Sequence, residues 1–154
     1  MIQRIQSIWL LLAALTLICL FFTPIMSKNV DTTEYRLYID GYHQSTKIVD
    51  GTQLNGTQIG AMTVNGIAIL VCLISIFQFK NRPMQKRLIM INMILIIVAA
   101  ALSALNASLL PGGMNGASVH IGSSLFVLAL IFCMLSIRGI RKDEQLLRSA
   151  DRLR

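Results

Sequence analysis

The residues that could do acid–base or metal chemistry are few in this chain and stand far apart. It has seven acidic residues and two histidines in 154 residues. His43 and His120 lie in separate segments, so they cannot hold a haem between two membrane helices. Four acids share one polar segment, in which they are scattered and typical of solvated loop charges: Asp31, Glu34, Asp40 and Asp50. We expect no catalytic residue, no metal and no cofactor.

The three cysteines give no sign of redox chemistry. Cys19, Cys72 and Cys133 all lie within apolar runs and form no CxxC pair. They are typical of small packing residues. The sequence also has no glycine-rich phosphate loop and no HExxH motif. We therefore predict that the protein is not an enzyme.

The elements that would position these residues are membrane helices. Hydrophobic residues make up 55% of the chain and charged residues 14%, against about 25% charged in ordinary globular domains. From Leu88 to Ile137 there is no Lys, Arg, Asp or Glu. Because a bilayer core takes helices of about 20 apolar residues, we predict an all-α integral membrane bundle. Its four transmembrane helices are expected at about 5–26, 59–79, 88–110 and 118–137.

The first apolar segment is predicted to be an uncleaved helix rather than a signal peptide, because residues 23–26 are no A-x-A cleavage site. The polar segment 28–58 is predicted to form a small β-hairpin or a loop. Residues 35–39 have strand composition, Asp40-Gly41 is a turn signal, and residues 47–49 are a candidate second strand. Further turn signals are Asp50-Gly51 and Asn55-Gly56.

Positive charges predict the orientation. Residues 80–87 carry four positive charges and no acids, with Pro83 as a helix breaker, and the tail 138–154 carries six positives. The segment 28–58 has three positives against four acids. Since Lys and Arg concentrate in cytoplasmic loops, both termini and the basic segment are expected in the cytoplasm. Residues 28–58 and 111–116 are then expected outside.

Small and polar residues within the helices predict packing contacts. Ala99, Ser103 and Ala107 are spaced by four, as are Ala100, Ala104 and Ser108, which lets helix backbones approach closely. Gly122, with Ser118, offers a matching site at the start of the fourth helix. Asn65 and Asn92 are expected to form hydrogen bonds between helices. The same face could instead contact another subunit.

The charged tail is predicted to continue the fourth helix into water. Acids alternate with bases there, and opposite charges can set the register of a protein contact. We expect a partner-binding face formed by Arg141, Asp143, Glu144, Leu147, Arg148, Asp151 and Arg152. The alternative is a solvated helix end that only anchors the topology.

Both ends of the chain carry a family resemblance. The opening MIQRIQSIWLLLA and the closing IRKDEQLLRSADRLR resemble a family of four-helix membrane proteins of the Bacteroidota, known only as a domain of unknown function. The resemblance implies a Gram-negative inner-membrane setting. It implies no activity and no catalytic residues.

These observations favour a non-enzymatic accessory or scaffold subunit of an inner-membrane assembly. The expected partners are membrane lipids and a protein, with no sequence-specific nucleic-acid binding. The alternative is a protein that handles a lipid or small molecule in a cavity between the helices. Its expected lining residues are Asn65, Asn92, Asn106 and His120.

Overall fold

The computed structural model describes residues 3–30, 33–46, 49–57, 59–78, 81–108 and 116–151. Four helices run up and down in a bundle, with α1 against both α2 and α4, and α3 between α2 and α4. Their bounds are α1 Gln3–Cys19, α2 Ile59–Phe77, α3 Arg82–Ser108 and α4 Ile121–Asp151.

An antiparallel sheet lies at the end of the bundle where α1 ends and α4 begins. Its strands follow the order β4-β3-β2-β1-β5. Their bounds are β1 Met26–Val30, β2 Thr33–Leu37, β3 Gly41–Thr46, β4 Val49–Thr57 and β5 Ser118–Val119. Ile25 and Ile39 belong to the same buried cluster as the helices, so the sheet rests on the bundle.

Three helices are long and apolar enough to cross a membrane: Ile59–Phe77, Arg82–Ser108 and Ile121–Asp143. Their large aliphatic side chains point outward; Leu70, for example, is 59% exposed and Ile94 is 61% exposed. A water-soluble bundle would bury such residues, whereas a membrane protein presents them to lipid. These features support a membrane protein.

The first helix is shorter than the predicted span 5–26. Its apolar part is Gln6–Cys19, and α1 ends at Cys19 because Pro24 cannot continue a helix and Met26 begins β1.

The inward face of every helix repeats in steps of three and four residues. On α2 the buried residues are Ala61, Asn65, Ala68, Cys72 and Ser75. On α3 they are Gln85, Ile89, Asn92, Ile96, Ala99, Ser103 and Ala107. On α4 they include Phe126, Ala129, Cys133, Ser136, Ile140 and Asp143. We call this inward-facing set the seam; its 3.5-residue period is that of left-handed helix packing with crossings of about 20°.

The structure places five of the predicted packing residues on the seam: Asn65, Asn92, Ala99, Ser103 and Ala107. The parallel row on α3 does not share this burial. Ala100 is half-buried, and Ala104 and Ser108 are exposed. Only one of the two small-residue rows therefore faces the bundle interior.

The basic segment 80–87 is mostly helix rather than loop. α3 begins at Arg82 and places Pro83 in its first turn, where the missing N–H costs no hydrogen bond. Pro83 thus begins a helix. The start of α4 also differs from the prediction. This helix begins at Ile121 rather than near residue 118, because Ser118 and Val119 pair with β1.

The polar segment contains four strands instead of one hairpin. The predicted turn at Asp40-Gly41 does connect β2 to β3. The pairs Asp50-Gly51 and Asn55-Gly56 lie inside β4, where the register with β3 shifts. Such residues also suit β-bulges, which insert unpaired residues into a strand. Lys47 and Ile48 lie outside the described residues.

The seam predicts how helix α3 tolerates a large side chain. Ala99→Phe should lower the free energy of unfolding by about 1–3 kcal/mol, because overpacking forces the backbones apart. Ala101→Phe is the matched control, since Ala101 is exposed on the same helix. Thermal unfolding of both variants in detergent measures the difference, and equal stability would contradict the seam.

Candidate functional site

The centre of the bundle holds one amide between two thiols. The Nδ2 of Asn92 lies 2.9 Å from Sγ of Cys72 and 3.6 Å from Sγ of Cys133. All three residues are on the seam, so α2, α3 and α4 meet at this point. Both cysteines are free thiols. This arrangement joins three helices through Asn92, for which the sequence predicted hydrogen bonds between helices, and it adds the two cysteines as the partners of the amide.

Asn65 donates a hydrogen bond to a backbone carbonyl near the end of α1. Its Nδ2 donates to the backbone carbonyl of Leu17 at 3.1 Å. The last carbonyls of a helix have no partner within the helix, and after Leu17 the turn tightens so that Phe21 N–H bonds Ile18 instead. Asn65 of α2 therefore supplies a hydrogen-bond donor to a carbonyl in the last turn of α1.

The opposite end of α1 is joined to α4 by polar contacts. Gln6 Nε2 donates to the Asp143 carboxylate, and Ser136 Oγ donates to the Gln6 carbonyl at 3.4 Å. A Cβ added at Gly139 would lie 3.0 Å from Gln6 Cγ, so glycine allows this approach. Gln6 and Asp143 are 6% and 7% exposed. The carboxylate thus faces α1, whereas we predicted it on a partner-binding face.

The sequence contained a signal for this contact. The seam period on α4 continues past the predicted membrane boundary through Ile140 to Asp143. Charge alone placed these residues in the solvated tail. In this turn of α4, the seam spacing predicts a buried Asp143 and the charge predicts a solvated one. Packing against α1 buries the side chain, as the spacing predicts.

At the end of the bundle that carries the sheet, which we call the outer end, two serines and a histidine join β1 to the strand before α4. Ser27 Oγ lies 2.6 Å from His120 Nε2 and 2.9 Å from Ser118 Oγ. A serine beside an imidazole can act as a nucleophile when a third group orients the ring. Within the described part of the chain, no third side chain bonds the imidazole. These contacts connect β1 to β5 and give no complete catalytic set.

Gly122 packs against backbone, though not against the helix that we expected. Its N–H donates to the Pro24 carbonyl at 3.1 Å, and an added Cβ would lie 2.5 Å from that oxygen. The segment between α1 and β1 therefore crosses directly over the start of α4. The predicted match of Gly122 and Ser118 with α3 is replaced by this crossing.

The surface acids that the structure describes have basic partners. Arg36 Nε lies 2.9 Å from Glu34 Oε1, and Asp40 lies 3.5 Å from His43. The hydrogen bond to Glu34 raises the pKa of the Arg36 guanidinium above its ordinary value. In the described residues no group of three His, Cys, Asp or Glu could hold a metal. Asp31 lies outside the described residues.

Two cavities lie along the α3–α4 interface, which is the least extensive of the four interfaces between neighbouring helices. The cavity nearer the sheet, which we call the outer cavity, has a volume of about 330 Å³ and is almost wholly apolar. The cavity farther from the sheet, which we call the inner cavity, has a volume of about 310 Å³ and is lined in part by two arginines. The lining that we predicted for a cavity, Asn65, Asn92, Asn106 and His120, contributes to neither.

The predicted partner-binding residues are described only in part. Arg141 is exposed and Asp143 is buried. The side chains of Glu144, Leu147, Arg148 and Asp151 lie outside the described part of the structure, as does all of Arg152. Gln145, Leu146 and Ser149 are exposed on the same helix.

The crossing at Gly122 gives a stability prediction. Gly122→Ala should lower the free energy of unfolding by about 1–3 kcal/mol, because the new methyl group meets Pro24 backbone. Gly66→Ala is the control: a Cβ there has nothing within 4 Å, and alanine should raise helix stability by up to about 1 kcal/mol. Opposite shifts in melting temperature are expected in detergent. A neutral Gly122→Ala would contradict the close crossing.

Comparison with known proteins places the chain in a family without assigning an activity. No curated protein matches it. The family model described as "Domain of unknown function (DUF4293)" matches residues 2–153. The predicted resemblance to a family of unknown function is thus confirmed. Since the match covers nearly the whole chain, the protein belongs to the DUF4293 family.

Proposed function

We propose that this protein is a non-enzymatic accessory or scaffold subunit of a bacterial inner-membrane assembly, and that it docks a protein through the end of α4. The observation that carries the proposal is the continuity of α4 from Ile121 to Asp151. One helix runs from the sheet through the bundle into the charged tail.

The base of the extension is held in a defined direction. Ile140 and Asp143 lie on the seam, and Gln6 bonds the carboxylate. Eight residues follow Asp143 before α4 ends at Asp151, which is about 12 Å of helix. Leu146 is 49% exposed on this segment. A fixed helix with an exposed leucine among charges is the type of surface on which a partner helix or groove can bind.

The membrane arrangement is part of the proposal. All four helices cross the membrane, with both termini in the cytoplasm and the sheet outside. The charge asymmetry supports this orientation. The inclusion of α1 among the membrane helices is supported by the hydrogen bonds of Asn65 and Gln6, which join its two ends to α2 and α4. Although α1 has 17 residues, the turns after Cys19 extend its apolar path to Pro24.

A second candidate is the handling of a lipid or small molecule. The outer α3–α4 cavity favours it, because small residues such as Ala100 and Ala104 leave an apolar groove there. Purification in mild detergent separates the candidates. A stoichiometric protein partner supports the accessory role, and a bound small molecule without a partner supports the alternative.

Orientation can be tested with single cysteines at exposed positions. An impermeant thiol reagent applied to the outside of the inner membrane should label Asn29→Cys. It should leave Asn81→Cys and Ser149→Cys unlabelled until the membrane is broken. The unsubstituted protein gives the background from its three native cysteines. Outside labelling of Ser149→Cys would contradict the proposed topology.

The docking role can be tested by permuting residues 144–154 while leaving everything through Asp143 unchanged. The permuted protein should insert and melt normally but lose the partner that the unsubstituted protein retains. The control keeps the order of charges and exchanges Arg148 and Arg152 for Lys, and Glu144 for Asp; it should retain the partner. If the permuted protein retains it equally, α4 is only a topology anchor.

A further inference from the structure

We propose that the inner α3–α4 cavity is a binding site for one anionic phospholipid. This inference does not rest on the accessory role. The cavity combines four apolar side chains with two guanidinium groups in its lining. Its lining residues are Met90, Met93, Met134, Ile137, Arg138 and Arg141.

The lining is arranged as a lipid would require. On α4, Met134 and Ile137 precede Arg138 and Arg141 at helical spacing, so the wall changes from apolar to cationic along one helix face. Arg138 is also the first charge after fifty uncharged residues. The polarity change therefore falls at the membrane boundary, where a lipid has its own change from acyl chain to phosphate.

The two arginines have no acid to neutralise them in the described part of the chain. Of the described acids, Glu34 pairs with Arg36 and Asp40 with His43, both in the sheet region. Asp143 is near in sequence, but its carboxylate accepts from Gln6 on the α1 side. Arg138 and Arg141 are both exposed, and guanidinium groups bind phosphate oxygens through paired hydrogen bonds.

The apolar part continues beyond the inner cavity. Ile97 and Leu130 line the outer cavity, each one helical turn beyond Met93 and Met134 of the inner one. An acyl chain can therefore follow the α3–α4 interface toward the sheet. Flexible methionines suit such a chain because they adapt to irregular apolar shapes. A small free anion would leave this groove without an occupant, so we assign the site to a whole phospholipid.

Native mass spectrometry of the purified, delipidated protein tests this assignment. Phosphatidylglycerol is titrated, with phosphatidylcholine and glycerol 1-phosphate as comparisons. We expect one phosphatidylglycerol to bind more tightly than phosphatidylcholine, and glycerol 1-phosphate not to bind. The double substitution Arg138→Gln with Arg141→Gln should lower the affinity for phosphatidylglycerol about thirtyfold, since each basic residue near the surface contributes about 1 kcal/mol.

The matched control removes the same charge elsewhere. Arg87 and Lys142 are exposed on α3 and α4 and do not line the cavity, so their replacement by Gln should leave affinity within about threefold, an estimate from screened surface charges. Met93→Trp fills the cavity without removing charge and should also weaken binding; melting temperatures verify folding. Equal losses in the control and arginine variants, or unchanged binding in Met93→Trp, would overturn the site and leave only non-specific lipid attraction.

Discussion

Close approach of helices along the seam is the constraint on which the remaining structure depends. In lipid, moving a large aliphatic side chain into the bundle interior gains little free energy, because the acyl chains are equally apolar. Helices therefore associate through van der Waals packing and hydrogen bonds. The chain accordingly turns residues such as Ile94 outward and places Ala99 and Ser103 inward. Asn92 and Asn65 then contribute polar contacts where backbones are near. Their oxygens Oδ1 have no partner in the described structure, so each amide contributes through its nitrogen.

The two ends of the bundle are held differently. At the outer end, backbone crosses backbone: Pro24 lies on Gly122, and β5 pairs with β1. The sheet is thereby joined to both α1 and α4. At the inner end, side chains form the junction through Gln6 and Asp143. The outer end therefore depends on the absence of a Cβ, and the inner end on one hydrogen-bonded carboxylate.

Around its inner end, α4 presents three different surfaces. Ile140 and Asp143 pack against the bundle, Arg138 and Arg141 border the α3–α4 cavity, and Leu146 is exposed further along the helix. A charged tail that only fixed orientation would need no such division. In the proposed arrangement, lipid and protein bind neighbouring but separate faces of one helix, so their contributions can be measured independently.

The sequence by itself determined the membrane character, the four helices and the burial of Asn65, Asn92 and Ala99, because apolar length and small-residue spacing are local properties. It placed a hairpin turn at Asp40-Gly41. Only the tertiary structure decided how β4 uses its glycine pairs, that Gly122 meets Pro24, and that Asp143 turns inward. These outcomes depend on contacts between segments far apart in the chain: the same Asp-Gly pair is a turn or a bulge according to the neighbouring strand. Likewise a charged residue is solvated or buried according to the helix opposite it.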